Sequence, residues 1–513
     1  MNRFILHFCF GLILVLFTLR VFSQSPFYAK CGNPVDFPKG DFSNLMDYDD
    51  LFYYFLRLNE RSQLAFNANE PPAIEVYDRQ LNHVKSIPLI LKVDQKLKKV
   101  DPVAFFKVDS GFVFLMQTYS TISQVMRSYL YKTNQNGVLT GELLIPGEVN
   151  DVTPNLADFQ FFQLNRISRN GKLLFVFGMK TPAEMEVAER VNLAVYDENL
   201  KKEGDRLINF PEDFFNYKFS NLVFGNSGMV FFRVEITNPF LMDKTVHQLV
   251  VYDLFAETNQ SLEFKFAEGE IACADLARVD EKTICYYGYF TQNEEDKQIR
   301  GVFYYFFNLE DGTLMRHNIF TLPENVASLF DPKNLYSKSE YQHLIPAGIQ
   351  ISASKTVFLI LEYNWRSLML IRDQEGKVYN QPVYNANEVF VLEFDKNDRL
   401  INQLNIPKEQ SNGFDKSGLG VFSFVYNNSL FILYNDHPKN LQQYDASKLK
   451  TMKMDYQGVM AECTFSENGY QKYQIMTSGI PVKLESSDII RISETALLFL
   501  EKSRKTPVEV LFH

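Results

Sequence analysis

The chain has 513 residues, 46% hydrophobic and 22% charged, with a formal net charge of −10; this is an ordinary globular composition with enough apolar mass for a large core. The acidic balance argues against nucleic acid as a partner, because phosphate binding needs a basic face. Phe (47) and Tyr (27) are abundant against a single Trp, an enrichment that suits half-buried pleated strands.

At the N-terminus Arg3 precedes an apolar run from Phe4 to Leu19, short for a membrane span, and Val21 and Ser23 supply small residues ahead of Gln24. This order of charge, apolar run and small residues predicts a secretory signal over residues 1–23, cleaved before Gln24; the alternative is an uncleaved anchor helix. Cleavage removes Arg3 and Arg20, takes the charge to about −12, and leaves no integral membrane span. Cys9 lies inside the apolar run and Cys31 has no such run before it, so neither looks like a lipoprotein acceptor. The ending Phe22–Ser23–Gln24 resembles signal peptides of proteins exported by Bacteroidota-type bacteria.

Residues 24–46, with Pro26, Pro34 and Pro38, read as an irregular strap, and residues 47–513 as one repeating unit. The unit is a short apolar run ending in an aromatic residue, then a polar turn and another run. Aligning on the aromatic gives Tyr77, Tyr131, Tyr196, Tyr252, Phe307, Phe394, Phe465 and Phe512. The first copy divides into Leu51–Leu58, Gln63–Phe66, Ile74–Tyr77 and Val84–Leu91, and the third has Ser168–Arg169–Asn170–Gly171 as a hairpin turn. Four short strands per unit is the propeller count. The last copy has only three, Ile489–Ile492, Ala496–Leu500 and Val508–Phe512. The strap around Ser25–Cys31 is therefore expected to lend the fourth, which avoids an unpaired edge. The fold class is all-β: a single β-propeller of about eight four-stranded blades closed by strands from both termini. Seven is the fallback if Phe422–Met476 is not a blade, and a set of β-sandwiches is the rival. In general look the chain resembles the secreted β-propeller proteins of Bacteroidota-type bacteria, which implies a periplasmic or outer-membrane-associated place.

Four cysteines remain after cleavage, Cys31, Cys273, Cys285 and Cys463. Cys273 and Cys285 flank what reads as the turn of one hairpin, so either a cross-strand disulfide or two buried thiols fits. The aromatic anchors stand 87 residues apart between Phe307 and Phe394 and 71 between Phe394 and Phe465. The extra chain points to long loops near 322–346 and 435–456, the places where a regular scaffold carries binding. The first holds Tyr336, Tyr341 and His343; the same repeat carries Asn364–Trp365–Arg366, read as a turn, and the second insertion has Lys439, Lys448, Lys450 and Lys453. Tyr336, Tyr341, His343, Trp365 and Arg366 are the candidate binding residues, with aromatic area giving affinity and Arg366 specificity; the plainer reading of Trp365 is packing over a sheet edge.

No catalytic or metal-ligating residue is assigned. None of the seven His has a metal spacing, Gly225–Asn226–Ser227–Gly228 lacks the second glycine of a nucleophile elbow, and Asp395–Lys396–Asn397–Asp398 lacks the glycine and distal Glu of a calcium loop. No cofactor is expected. The reading is a non-enzymatic binding or scaffold protein of the cell envelope with a protein partner; the alternative is a hydrolase, lyase or glycan-binding propeller with its site at the central channel.

Overall fold

The structure is a computed structural model. It describes residues 27–512 apart from 33–40, 59–70, 91–100, 121–124, 145–161, 167–172, 180–189, 210–215, 238–244, 293–298, 331–341, 373–375, 414–417, 453–456, 464–468, 478–479, 485–488, 502–505 and single positions 226, 255, 257, 265, 267 and 268.

The described residues form eight larger antiparallel sheets, the first seven running as meanders of four strands with a short fifth strand added to the sixth, and one two-stranded sheet that pairs Met476–Thr477 with Ile480–Pro481. The first is Asp41–Tyr48, Phe52–Leu58, Ala73–Asp78 and His83–Pro88; the fifth is Glu270–Arg278, Thr283–Thr291, Ile299–Asn308 and Leu314–Thr321. First strands of neighbouring sheets lie side by side, Asp41–Tyr48 beside Asp101–Val108 and Glu270–Arg278 beside Gln342–Ile351. The middle strands are buried on both faces. In the fifth sheet Val302, Tyr304 and Phe306 pack toward the sixth, while Phe303, Tyr305 and Phe307 pack toward the fourth. This is why the sequence there is an unbroken apolar run instead of an alternating one. Sheets stacked face to face with their first strands adjacent make a β-propeller architecture.

The aromatic anchors end third strands, with Tyr77, Tyr131, Tyr196, Tyr252, Phe307, Phe394 and Phe512 all buried; Phe465 lies outside the described residues. The turns that follow share one chemistry. The carboxylate of Asp78 accepts from the backbone N–H groups of Gln80 and Asn82, that of Asp197 from Asn199 and Lys201, and that of Asp395 from Asn397 and Arg399. Leu81, Leu200 and Asp398 then take positive φ, 63°, 62° and 63°. The carboxylate of Asp395 is thus occupied in capping its own turn, and those backbone donors hold it below the usual carboxylate range.

The eighth sheet is Ile490–Ser493, Ala496–Glu501, Thr506–Phe512 and, at its outer edge, Phe27–Cys31 from the other end of the chain. The register is antiparallel, Phe27 opposite Phe512 and Cys31 opposite Val508. The repeat around Phe422–Met476 is a sheet in its own right, Phe422–Tyr426, Ser429–Asp436, Gln457–Cys463 and Gln471–Gln474.

Several expectations are corrected. The strap does not stay irregular to residue 46, because Asp41–Tyr48 is the first strand of the first sheet; a register shift between Phe42 and Met46 breaks the alternation that would have marked it. Gln63–Phe66 lies outside the described residues. The supposed turn at 275–282 is shorter, since Glu270–Arg278 continues as a strand. Cys273 therefore stands opposite Tyr289, and Cys285 opposite Ala277. That four-residue offset is roughly 13 Å along a strand, beyond disulfide reach, and all four described cysteines are free thiols.

Candidate interaction surface

The sixth sheet departs from the pattern. Its second and third strands, Val357–Arg372 and Val378–Phe394, are 16 and 17 residues long. Their inner halves sit between the neighbours Gln342–Ile351 and Leu400–Ile406, which reach only as far as Trp365 and Val389. Beyond that the two strands continue to pair with each other, from Asn364 opposite Ala386 to Arg372 opposite Val378. Asn364–Trp365–Arg366 is therefore no turn. The tripeptide has no glycine or proline, and the chain absorbs it with a register shift between Glu362 and Asn364; the first strand runs on to Arg372 and the second starts at Val378, just after Gly376 at φ 84°.

The result is a ribbon of two strands projecting about 20 Å past the sheet. Opposed residues share a face. One face carries the pairs Arg366/Tyr384, Leu368/Pro382, Leu370/Asn380 and Arg372/Val378; the other carries Ser367/Val383, Met369/Gln381 and Ile371/Tyr379. Leu368 is 64% exposed, Leu370 73%, Met369 49% and Tyr379 47%. An isolated two-stranded ribbon is marginal in water, and this one shows large apolar side chains on both faces.

Its base is braced by buried polar groups. The Lys408 ammonium lies 2.6 Å from a Glu362 oxygen and donates to the Ala386 carbonyl at 3.0 Å and to Gln410 Oε1 at 2.7 Å. One cation thus ties both long strands to the short strand Gln410–Asn412, which pairs with Tyr384–Ala386. Burial pushes the Lys408 pKa down, and the Glu362 carboxylate opposes that shift. Gln410 Nε2 donates on to the Asn435 carbonyl, and the Asn435 side chain donates to Gly418 and Leu484 carbonyls and accepts from the Leu484 N–H. Next door, Lys472 lies 3.7 Å from Asp436 and donates to the carbonyls of Asn440 and Gln443.

The second insertion joins the same place. Its described part, residues 437–452, folds through the 3-10 turns Pro438–Asn440 and Ala446–Lys448. Met452 then donates its N–H to the Glu409 carbonyl and accepts from the Ser411 N–H, and its side chain packs with Ala386, Leu419 and Tyr384. The base of the ribbon and the second insertion, far apart in sequence, thus meet at Met452.

Of the sequence candidates, Tyr336 and Tyr341 lie outside the described residues. His343 pairs through its backbone with Asn364. Trp365 is partly buried, its backbone in register with Gln342 on one side and Asn385 on the other, and Arg366 is exposed with its guanidinium 5.7 Å from the Tyr384 ring centre. As consecutive residues of one strand, Trp365 and Arg366 project to opposite faces of the ribbon. Leu368, Leu370, Tyr384 and the Lys408 brace were not singled out. Their signal was the run Val357–Ile371, apolar at both parities and too long for one propeller strand.

One constellation has the residue types of a catalytic triad without its geometry. Ser86 Oγ donates to Glu75 Oε2 at 2.5 Å, and His83 Nε2 lies 2.9 Å from that same oxygen and 3.4 Å from Ser86. Serine and carboxylate compete for a single ring nitrogen, whereas a triad uses both nitrogens. With Arg57 2.6 Å from Oε1, fully buried Glu75 is the hub of a cross-strand brace.

Glu388, two residues from the ribbon's base and 4% exposed, has its pKa pushed up to about 7 by burial, partly offset by Lys408. A raised carboxylate stabilises the fold in its protonated form, so its contribution is full below the unfolded value of about 4.3 and is lost as pH rises through about 7. Glu388→Gln is expected to remove a decline of about 3 kcal/mol in unfolding free energy between those limits. Denaturant titrations at both ends check this, and an unchanged slope would refute it.

No family model and no curated protein matches the chain. Similar solved structures include the WD40 domain of SCAP from fission yeast, at 8% identity and TM-score 0.38, covering 95% of each chain. The β-propeller domain of the Trilobed protease from Pyrococcus furiosus is similar at 10% identity and TM-score 0.34, over 89% of this chain and 98% of that one. A polysaccharide lyase is similar at 11% identity and TM-score 0.37, over 96% and 93%. No functional role is carried over from any of them.

Proposed function

We propose that the chain is a non-enzymatic binding or scaffold protein of the cell envelope, exported with cleavage before Gln24, that holds a protein partner on its projecting ribbon. In this reading the eight larger sheets are the blades of one ring, closed where Phe27–Cys31 pairs with Thr506–Phe512. Ring closure is supported by the shared cluster of Tyr53, Phe55, Tyr77 and Leu81 from the first sheet with Leu498 and Leu500 from the eighth. The carrying observation for function is the ribbon itself, apolar on both faces and standing on a braced base.

Affinity capture of the mature protein from its own envelope tests this. Leu368→Asp combined with Leu370→Asp is expected to abolish recovery of the co-purifying protein while the melting temperature stays within about 1 °C, because exposed positions away from packing contribute little to stability. Equal recovery by the variant would place binding elsewhere.

A further inference from the structure

The two faces of the ribbon differ in charge, and this difference narrows the partner's chemistry. The face with Leu368 and Leu370 has an arginine at each end, Arg366 near the base and Arg372 near the tip, both exposed. The opposite face has no charged residue between Ser367 and Ile371 or between Tyr379 and Val383. Toward the base the arginine-bearing face runs through Tyr384 onto Met452, and the insertion that supplies Met452 carries exposed Lys439 and Lys450. The insertion also carries exposed Asp445, 2.9 Å from Lys448, so the charge that distinguishes this face of the ribbon is that of its two arginines.

Resting on the reading of the ribbon as a docking element, we infer that the face bearing Arg366, Leu368, Leu370 and Arg372 receives a protein surface that is apolar at its centre and rimmed by carboxylates. Apolar area between the arginines gives affinity, and the arginines select by charge complementarity. Three alternatives fit less well. A lipid surface would meet the far end of the ribbon first, where Arg372 and Lys377 are exposed; such groups cost about 2.5–3.5 kcal/mol each at mid-bilayer. A second copy seated face to face about a two-fold axis would bring arginines against arginines. Strand addition along Val378–Val383 meets Pro382, which has no N–H to give.

The test is a random peptide display library panned on the mature protein and counter-selected on the Leu368→Asp, Leu370→Asp variant. Recovered peptides are expected to combine aliphatic or aromatic residues with Asp and Glu, to bind more weakly in added salt, and to lose about tenfold in affinity against Arg366→Gln, Arg372→Gln at unchanged melting temperature. Peptides that need Leu370 but show no acidic enrichment, or ignore the arginine substitutions, overturn the inference and leave the docking reading standing. Peptides that bind the leucine variant equally well overturn both. Leucine-dependent sedimentation with phosphatidylcholine and phosphatidylglycerol vesicles, or a leucine-dependent dimer in sedimentation velocity, would assign the face to lipid or to a second copy and overturn it as well.

Discussion

Deleting residues 24–32 is expected to lower the melting temperature by about 5 °C. The strand Phe27–Cys31 makes a five-residue ladder with Val508–Phe512, and Gly32 N–H adds a bond of 2.9 Å to the Pro507 carbonyl. Phe27 is 5% exposed, its ring 5.9 Å from that of Phe512 and 6.0 Å from that of Tyr473 on the preceding sheet. The ladder bonds and the buried ring together contribute roughly 5 kcal/mol, and for a chain of this length about 1 °C of melting temperature goes with each kcal/mol. Differential scanning calorimetry of the deleted and full mature chains decides the matter. An unchanged transition would mean that the N-terminal strand locks nothing, while a partial loss from Phe27→Asp alone would separate the ring's burial from the ladder.

Replacing Lys408 by Met is expected to cost about 3–5 kcal/mol, because it leaves the Glu362 carboxylate, 3% exposed, buried without its counter-charge. The same change strips a donor from Ala386 and Gln410 at the ribbon's base. Adding Glu362→Leu should recover stability to within about 1 kcal/mol of the parent, since two apolar groups in place of a buried ion pair are close to neutral. Urea unfolding of the single and double variants provides the cycle. Strict additivity, with the double variant worse than either single one, would show that the two charges do not act as a pair.

Strand repetition was legible because middle strands buried on both faces need continuous apolar runs, and their aromatic ends recur beside polar turns. A sharper signal lay unused in those turns: an Asp or Asn followed three residues later by the residue of positive φ, as in Asp78 to Leu81, Asn134 to Gly137 and Asp197 to Leu200. First strands were read poorly, since Asp41–Tyr48 and Glu270–Arg278 carry register shifts that scramble alternation. Anchor spacing pointed to extra chain in the sixth repeat but placed it near 322–346, whereas the projecting ribbon is built from the overlong strands Val357–Arg372 and Val378–Phe394. Nor does any local pattern announce that Lys408 meets Glu362 across 46 positions, because burial of a charge depends on packing that only the assembled sheets create.

With Phe27 opposite Phe512, the first and last described residues are neighbours in one sheet. The backbone is then nearly a loop, and its beginning is a matter of where synthesis starts. A short linker from Phe512 to Phe27 would close it covalently, and a new opening at the polar turn after Asp197 would make the third sheet, not the eighth, the one assembled from both ends. A tether attached at Phe27 and one attached at Phe512 would therefore hold the sheet by the same point.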